Sequence, residues 1–366
     1  MKKIIYLLLG VLMFWSCAET YELRDVLEEA KNAPMEIRFD NDFSFPRTKA
    51  IFEVADSIKS DTIGVYAKIQ GESNITLPAS QYGFLIFNDS LTYKEPDLWK
   101  CTKRYFWPKL KDNSGYQVVD FYAYCPMNIG VASESDGIVT IPINDIEINK
   151  DAKDLVFDRK LGQTYDKING TDKGARKGYV DFVMRHKMSW ISFEAKYTTE
   201  FDSIVIDSIM VVADNSTAKF YINTNDTDNS TIVPGKVVKA DSCLLVNDAT
   251  PVSHTYKFIT DTIEIDSTRY KRVGDFIALP QSVSDNMVAK ICYTAKIDSI
   301  VYPTVITVKL RSGSLTEAGS HAAPWTVATW DAGYKYTYRI NIKWEEILFT
   351  ASVTQWADGG TYYLAY

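Results

Sequence analysis

From Ile37 onward the apolar residues come in short or alternating runs, each closed within a few residues by Asn, Asp, Gly, Ser or Pro. "DTIGVYAKI", "YGFLIFN", "QVVDFYAYCP", "GIVTIPI", "MSWISFEAKY", "SIVIDSIMVV", "DFIALPQ", "AKICYTAKI", "VITVKLRS", "YKYTYRINI" and "ILFTASVTQW" have ordinary strand length, and many alternate with the period of two that lines one face of a sheet. No comparable stretch carries a convincing long helix. Many strands with hairpin-length gaps predict an all-β sandwich or a pair of sandwiches. The 23 Tyr and 17 Phe suit strands better than helices.

A chain of 366 residues that is 46% hydrophobic has enough apolar material for two sizeable cores. The best boundary or long loop is residues 160 to 178, "KLGQTYDKINGTDKGARKG", which is polar and rich in Gly and Lys. The net charge of −7, with Lys and Arg scattered, disfavours a nucleic-acid partner.

The N-terminus has its own pattern. Lys2 and Lys3 precede an apolar run from Ile4 to Trp15, followed by Ser16 and Cys17. That is the order of a secretion signal, and the run is too short to cross the roughly 30 Å hydrocarbon core of a bilayer. A cysteine directly after the core resembles the lipoprotein signal, in which Cys17 becomes the lipidated first residue. Phe14 and Trp15 are bulkier than that signal usually has, so an ordinary cleaved signal and a retained anchor stand beside it. Residues 1–16 are thus expected to be a signal peptide, and the charged residues 17–36 a tether.

Few residues are spaced for chemistry. His186, His254 and His321 are far apart and fit no metal-binding spacing, and no GxSxG, GxGxxG or Walker sequence is present. His186, at the front of a strand, reads as a packed or hydrogen-bonded histidine. Glu345 and Glu346 read as a solvated turn. Trp99, Trp107, Trp325, Trp330, Trp344 and Trp356 invite a glycan-stacking platform, yet most sit in strand patterns where core packing is the default. Cys101 with Cys125, and Cys243 with Cys292, permit one disulfide per half, with buried thiols as the plainer reading. The sequence calls for no catalytic residues, no metal and no cofactor.

Near the C-terminus, "WDAGYKYTYRINIKWEEILFTASVTQWADGG" (Trp330 to Gly360) resembles the closing block of the fimbrillin family, pilin-like lipoproteins of type V pili in Bacteroidota. The matching residues are Trp330, Gly333, Tyr334, Tyr336, Ile347, Phe349, Ala351, Val353, Trp356 and Gly359. "YFWP" (Tyr105 to Pro108), "VDFYAYCP" (Val119 to Pro126), "KDLVF" (Lys153 to Phe157), "VDFVMRHKMSWISFEAK" (Val180 to Lys196) and "FIALPQ" (Phe276 to Gln281) follow the family in order. Cys125 departs from it, as does "HKMSW".

The resemblance implies two transthyretin-like β-sandwich domains in tandem, at residues 37–178 and 179–366. It also implies export as a lipoprotein of the outer membrane through Cys17, then cleavage after an arginine by a trypsin-like protease. The cut releases the first strand and opens a groove that a segment of another subunit fills. Arg38 and Arg47 are the arginines in reach. Arg47, followed by Thr48, resembles the processing region better, with an ordinary linker residue as the plain alternative. Tyr362, Leu364 and Tyr366 alternate and suit either a donor strand or the subunit's own edge.

Asp followed by Ser or Thr and then an aliphatic residue or Thr recurs, at Ser57, Thr62, Ser90, Ser203, Ser208, Thr262, Ser267 and Ser299. The pattern marks turns and strand entries, and it also resembles the O-glycosylation acceptor of that phylum. The leading expectation is a non-enzymatic fimbrial subunit that assembles by strand exchange with other subunits and serves adhesion to surface glycans or proteins. The rivals are a monomeric surface lipoprotein of the same fold that binds glycans and, remotely, a secreted hydrolase.

Overall fold

The computed structural model describes residues 34–39, 61–70, 84–94, 98–110, 112, 114–135, 137–143, 154–166, 178–214, 217–224, 243–247, 254–258, 262–313, 325–343 and 347–355. The fold is all-β, as the alternation predicts; among the described residues the helical content is one short 3-10 turn, Met127–Ile129. Among those residues no helix is long and apolar enough to cross a membrane.

An eight-stranded sheet dominates the first half. Its spatial order is Arg185–His186, Val156–Gln163, Val119–Cys125, Ile63–Ile69, Phe84–Lys94, Leu98–Cys101, Arg38–Phe39 and Tyr179–Val180. The two ends of this path are joined only by the segment from Asp181 to Met184, too short to span a flat sheet of eight strands. The sheet therefore curls into an open barrel. Val180, Phe182 and Met184 alternate into its interior, against Ile37, Phe39, Val65, Phe121 and Ala123.

The other face of the same sheet is also covered. Every residue of Val119–Cys125 is buried, because Phe121 and Ala123 serve the barrel interior while Tyr122 and Tyr124 serve a second core. The buried Asp120 of this strand is satisfied by Gln70 Nε2 at 2.7 and 2.8 Å and by the Gly162 amide at 2.6 Å. The second core is roofed by a four-stranded sheet in which Ile138–Ile143 pairs antiparallel with Ala218–Asn223, far later in the chain. Trp190, Ile277 and Leu279 also enter this core.

From Ser189 on, the strands other than Ala218–Asn223 and Cys243–Asn247 of the roof supply the two main sheets of a sandwich. One sheet has the order Lys271–Ala278, Ser189–Tyr197, Tyr334–Ile342, Ile347–Gln355, with its middle pair parallel. The other runs His254–Phe258, Ser203–Ala213, Val288–Ile297, Ile300–Lys309. Ile191, Phe193, Tyr338 and Ile340 of the first meet Ile204, Ile206, Ile209 and Ile291 of the second in one core, as inward-facing residues of stacked sheets must. Two details differ from the sequence reading. The polar stretch 160 to 178, expected as a break, begins inside a strand that runs to Gln163. Tyr179–Val180 and Arg185–His186 hydrogen-bond into the barrel, and the sandwich starts at Ser189.

Candidate functional site

The first strand among the described residues, Arg38–Phe39, is short, and its setting is unusual. Met35–Phe39 alternates half-buried Met35, buried Ile37 and buried Phe39 with Glu36 and exposed Arg38, so the apolar side chains enter the barrel and the charged ones face out. Both of its edges are bonded. Trp107 N donates to the Met35 carbonyl at 2.8 Å, and Ile37 N donates to the Tyr105 carbonyl at 2.9 Å. On the opposite edge, where the strand runs parallel to Tyr179–Val180, Arg38 N donates to the Gly178 carbonyl at 3.0 Å. Gly178 adopts φ +80°, and a Cβ there would lie 2.9 Å from the Tyr165 ring, so this turn beside the strand requires glycine.

Phe39 packs among aromatic rings. Its ring lies 6.1 Å from Phe182, nearly parallel, and 6.4 Å from Phe121, edge on. Trp107, itself packed edge on against Phe121, donates its indole N–H to the Gly178 carbonyl at 3.2 Å. Outside, Arg104 holds Glu36 through Nε at 2.8 Å and Nη2 at 3.2 Å. That hydrogen bond to Arg104 is the main reason the Glu36 carboxyl is held below its ordinary range. Arg38 donates to the Tyr179 hydroxyl at 3.3 Å. A cavity of about 520 Å³ opens here, lined by Glu36, Arg38, Lys100, Lys103, Arg104 and Tyr179 among others. The strand is thus a plug in the seam of a curled sheet; without it, Phe121, Phe182 and Trp107 lose their cover.

Several expected site residues lie outside the described residues: Cys17, Arg47, Thr48, Ser57, Tyr362, Leu364 and Tyr366. Of the Asp-Ser and Asp-Thr positions, Thr262 and Ser299 are exposed, and Thr62, Ser90, Ser203, Ser208 and Ser267 are half-buried. Ser90 shares a 2.6 Å hydrogen bond with Thr102. Ser299 sits with Asp298 in a two-residue hairpin turn, both at positive φ.

Trp99, Trp107 and Trp330 are buried, which leaves them packing roles in place of a surface platform. Cys101, Cys125 and Cys292 are free thiols, so no Cys101–Cys125 disulfide forms. Burial pushes the Cys101 thiol up to about 12, which keeps it protonated and unreactive. His186 is buried against Asp154, whose carboxyl is raised by burial. Among the described residues no group of His, Cys, Asp and Glu is arranged to hold a metal. The grip on the first strand by Arg104, Tyr105 and Trp107 was missed from sequence. The available signal was "YFWP", whose Tyr105 and Trp107 both bond it.

The model of the fimbrillin-like family matches residues 48–356. Among solved structures, a fimbrial protein from Bacteroides vulgatus is 17% identical with a TM-score of 0.53, covering 88% of this chain and 99% of that one. A candidate cell adhesion protein from Bacteroides uniformis is 16% identical with a TM-score of 0.50, over the same shares of the two chains. At such identities the likeness concerns the fold. No curated protein matches the chain. With most of its length matched by that model, the chain belongs to the fimbrillin-like family.

Proposed function

We propose that this protein is a structural subunit of a cell-surface fimbria that assembles by exchanging its first strand for a segment of another subunit. The observation that carries the proposal is the plug itself. Met35–Phe39 lies upstream of Arg47 and outside the residues the family model matches, which begin at Thr48. It fills an apolar seam with two buried side chains, Ile37 and Phe39. Two such side chains contribute roughly 3 to 6 kcal/mol by burial. That is enough to hold the strand while it is covalently attached, and little enough for a competing segment to replace it once the chain is cut after Arg47.

A replacement must be apolar at three alternate positions to occupy the places of Met35, Ile37 and Phe39. Tyr362, Leu364 and Tyr366 of a neighbouring copy have that spacing. In this reading Cys17 is the lipid tether to the outer membrane before cleavage, and the fibre serves adhesion. The exposed Ser299 and Thr262 are the acceptors most open to glycosylation.

Mass spectrometry of surface-extracted protein tests this. The expected species begins at Thr48, lacks Met35–Phe39 and migrates in detergent-resistant ladders. A lipid-bearing Cys17 on a strictly monomeric protein would favour the rival reading, a glycan-binding surface lipoprotein.

A further inference from the structure

The outer side of the same seam carries a charge arrangement that strand packing does not explain. Phe39 pairs antiparallel with Trp99, so one step along the register sets Arg38 beside Lys100 on the outer face. Like charges opposite one another on neighbouring strands are destabilising. Arg104 and Lys103 join them around the 520 Å³ cavity, where Glu36 is the lining carboxylate and is engaged by Arg104. Asp89, behind Lys103, is taken by the backbone amides of Ser90 and Lys103. Arg38, Lys100 and Lys103 therefore meet no carboxylate within ion-pair distance among the described residues, in a protein of net charge −7. Beside them, Tyr179 is half-buried under Arg38, and Phe106 is exposed beneath Arg104 with ring and guanidinium 5.5 Å apart. Cations outnumber the one lining carboxylate, Glu36, among the described residues at this cavity, and with Tyr179 and Phe106 beside Arg38 and Arg104 the arrangement suits an anion on a partly apolar scaffold.

We infer that the cavity beside the first strand binds a sugar chain carrying sulfate or carboxylate groups, with Arg38, Lys100 and Lys103 as its anion ligands. A cavity of this size takes a small oligosaccharide. Because Arg38 belongs to the first strand and Lys100 to its neighbour, an anion seated on both removes their repulsion and ties the plug to the barrel. The site exists only while the first strand is in place. Under the proposed assembly it therefore belongs to the uncleaved subunit, which carries it whether or not polymerisation follows.

The test uses the full chain at low ionic strength, where such contacts are least screened. Calorimetric titration with a sulfated heparin-derived tetrasaccharide and with a tetragalacturonate should show binding to one or both. Neutral maltotetraose should give none. Lys100→Gln with Lys103→Gln, both exposed and remote from the core, should weaken binding at least tenfold, whereas Lys290→Gln in the distant sandwich should not change it. Hydrogen exchange across Met35–Phe39 should slow when the sugar is bound. Equal binding by the double variant, unchanged exchange at the first strand, absence of binding by both sugars, or tighter binding of a polyglutamate peptide of matched charge would each overturn the assignment.

Discussion

Phe39 stacks nearly parallel on Phe182, an arrangement that joins the first described strand to the short segment linking the two ends of the curled sheet. The first strand is held mainly by this contact and its neighbours inside the barrel, so its attachment is measurable apart from the stability of the whole.

Phe39→Ala removes a buried aromatic from the plug, a change that costs about 3 kcal/mol or more in a packed core. The Ile37 and Trp107 amides, which close the strand's bonds on one edge, should lose roughly two orders of magnitude of hydrogen-exchange protection, the equivalent of that free energy. Unchanged protection would mean that Phe39 does not hold the strand.

The Glu36–Arg104 pair ties the plug on the outside, and its contribution depends on pH. Because the Glu36 carboxyl is lowered from its ordinary 4.5 in the folded protein, the folded state binds that proton more weakly than the unfolded chain. Its stabilisation is fully present above 4.5 and is lost as the pH falls through the lower folded value. Glu36→Gln should therefore be slightly less stable than the parent at neutral pH and indistinguishable from it in strong acid. Denaturation curves across this range check it, and a pH-independent difference would refute the ionic account.

His186→Ala leaves the buried Asp154 carboxyl without its partner. Breaking a buried pair this way costs about 3 to 5 kcal/mol. Burial already raises Asp154 and His186 counteracts that rise, so its removal raises the carboxyl further. A folded carboxyl that binds its proton more tightly than the unfolded one loses stability as the pH rises. The cost of the substitution should thus be largest at neutral pH and shrink toward the ordinary carboxylate range, as followed by urea unfolding at several pH values. A cost that stays constant with pH would show that His186 acts by packing alone.

Among the described residues Ile300–Lys309 lies at a sheet edge, with Val301 and Val305 59% and 63% exposed, the kind of edge that recruits other chains. The two-residue turn at Asp298 and Ser299 directs the even-numbered backbone groups of this strand to its partner and the odd-numbered ones outward. Pro303 is odd-numbered, so the missing N–H interrupts the free edge. Pro303→Val should allow concentration-dependent self-association, read by sedimentation velocity. A variant that stays monomeric at every concentration would show that the edge is guarded by something else.

The strands were legible because alternation is a local signal. "SIVIDSIMVV" and "YKYTYRINI" became the strands Ser203–Ala213 and Tyr334–Ile342, whose inward residues meet in the sandwich core. What joins them was not legible. Nothing local in "GIVTIPI" says that Ile138–Ile143 pairs with Ala218–Asn223 beyond the expected boundary, since pairing depends on long-range packing. The same holds for the seam. Alternation marked Ile37 and Phe39, but the gripping residues Tyr105, Trp107 and Gly178 lie far away in sequence and meet the strand only after the sheet curls. The cationic cluster escaped notice because Arg38 and Lys100 become neighbours only through register.

The pairing of Ile138–Ile143 with Ala218–Asn223 also sets an order in time. A chain threaded out from its N-terminus presents the barrel's strands first, while the side of the sheet that carries Tyr66, Tyr122 and Tyr124 still waits for Phe220 and Ile222 to close its roof. Until they arrive, a broad aromatic surface faces solvent, a state prone to sticking to other half-made chains. The first half therefore completes its second core only when these later strands have been made.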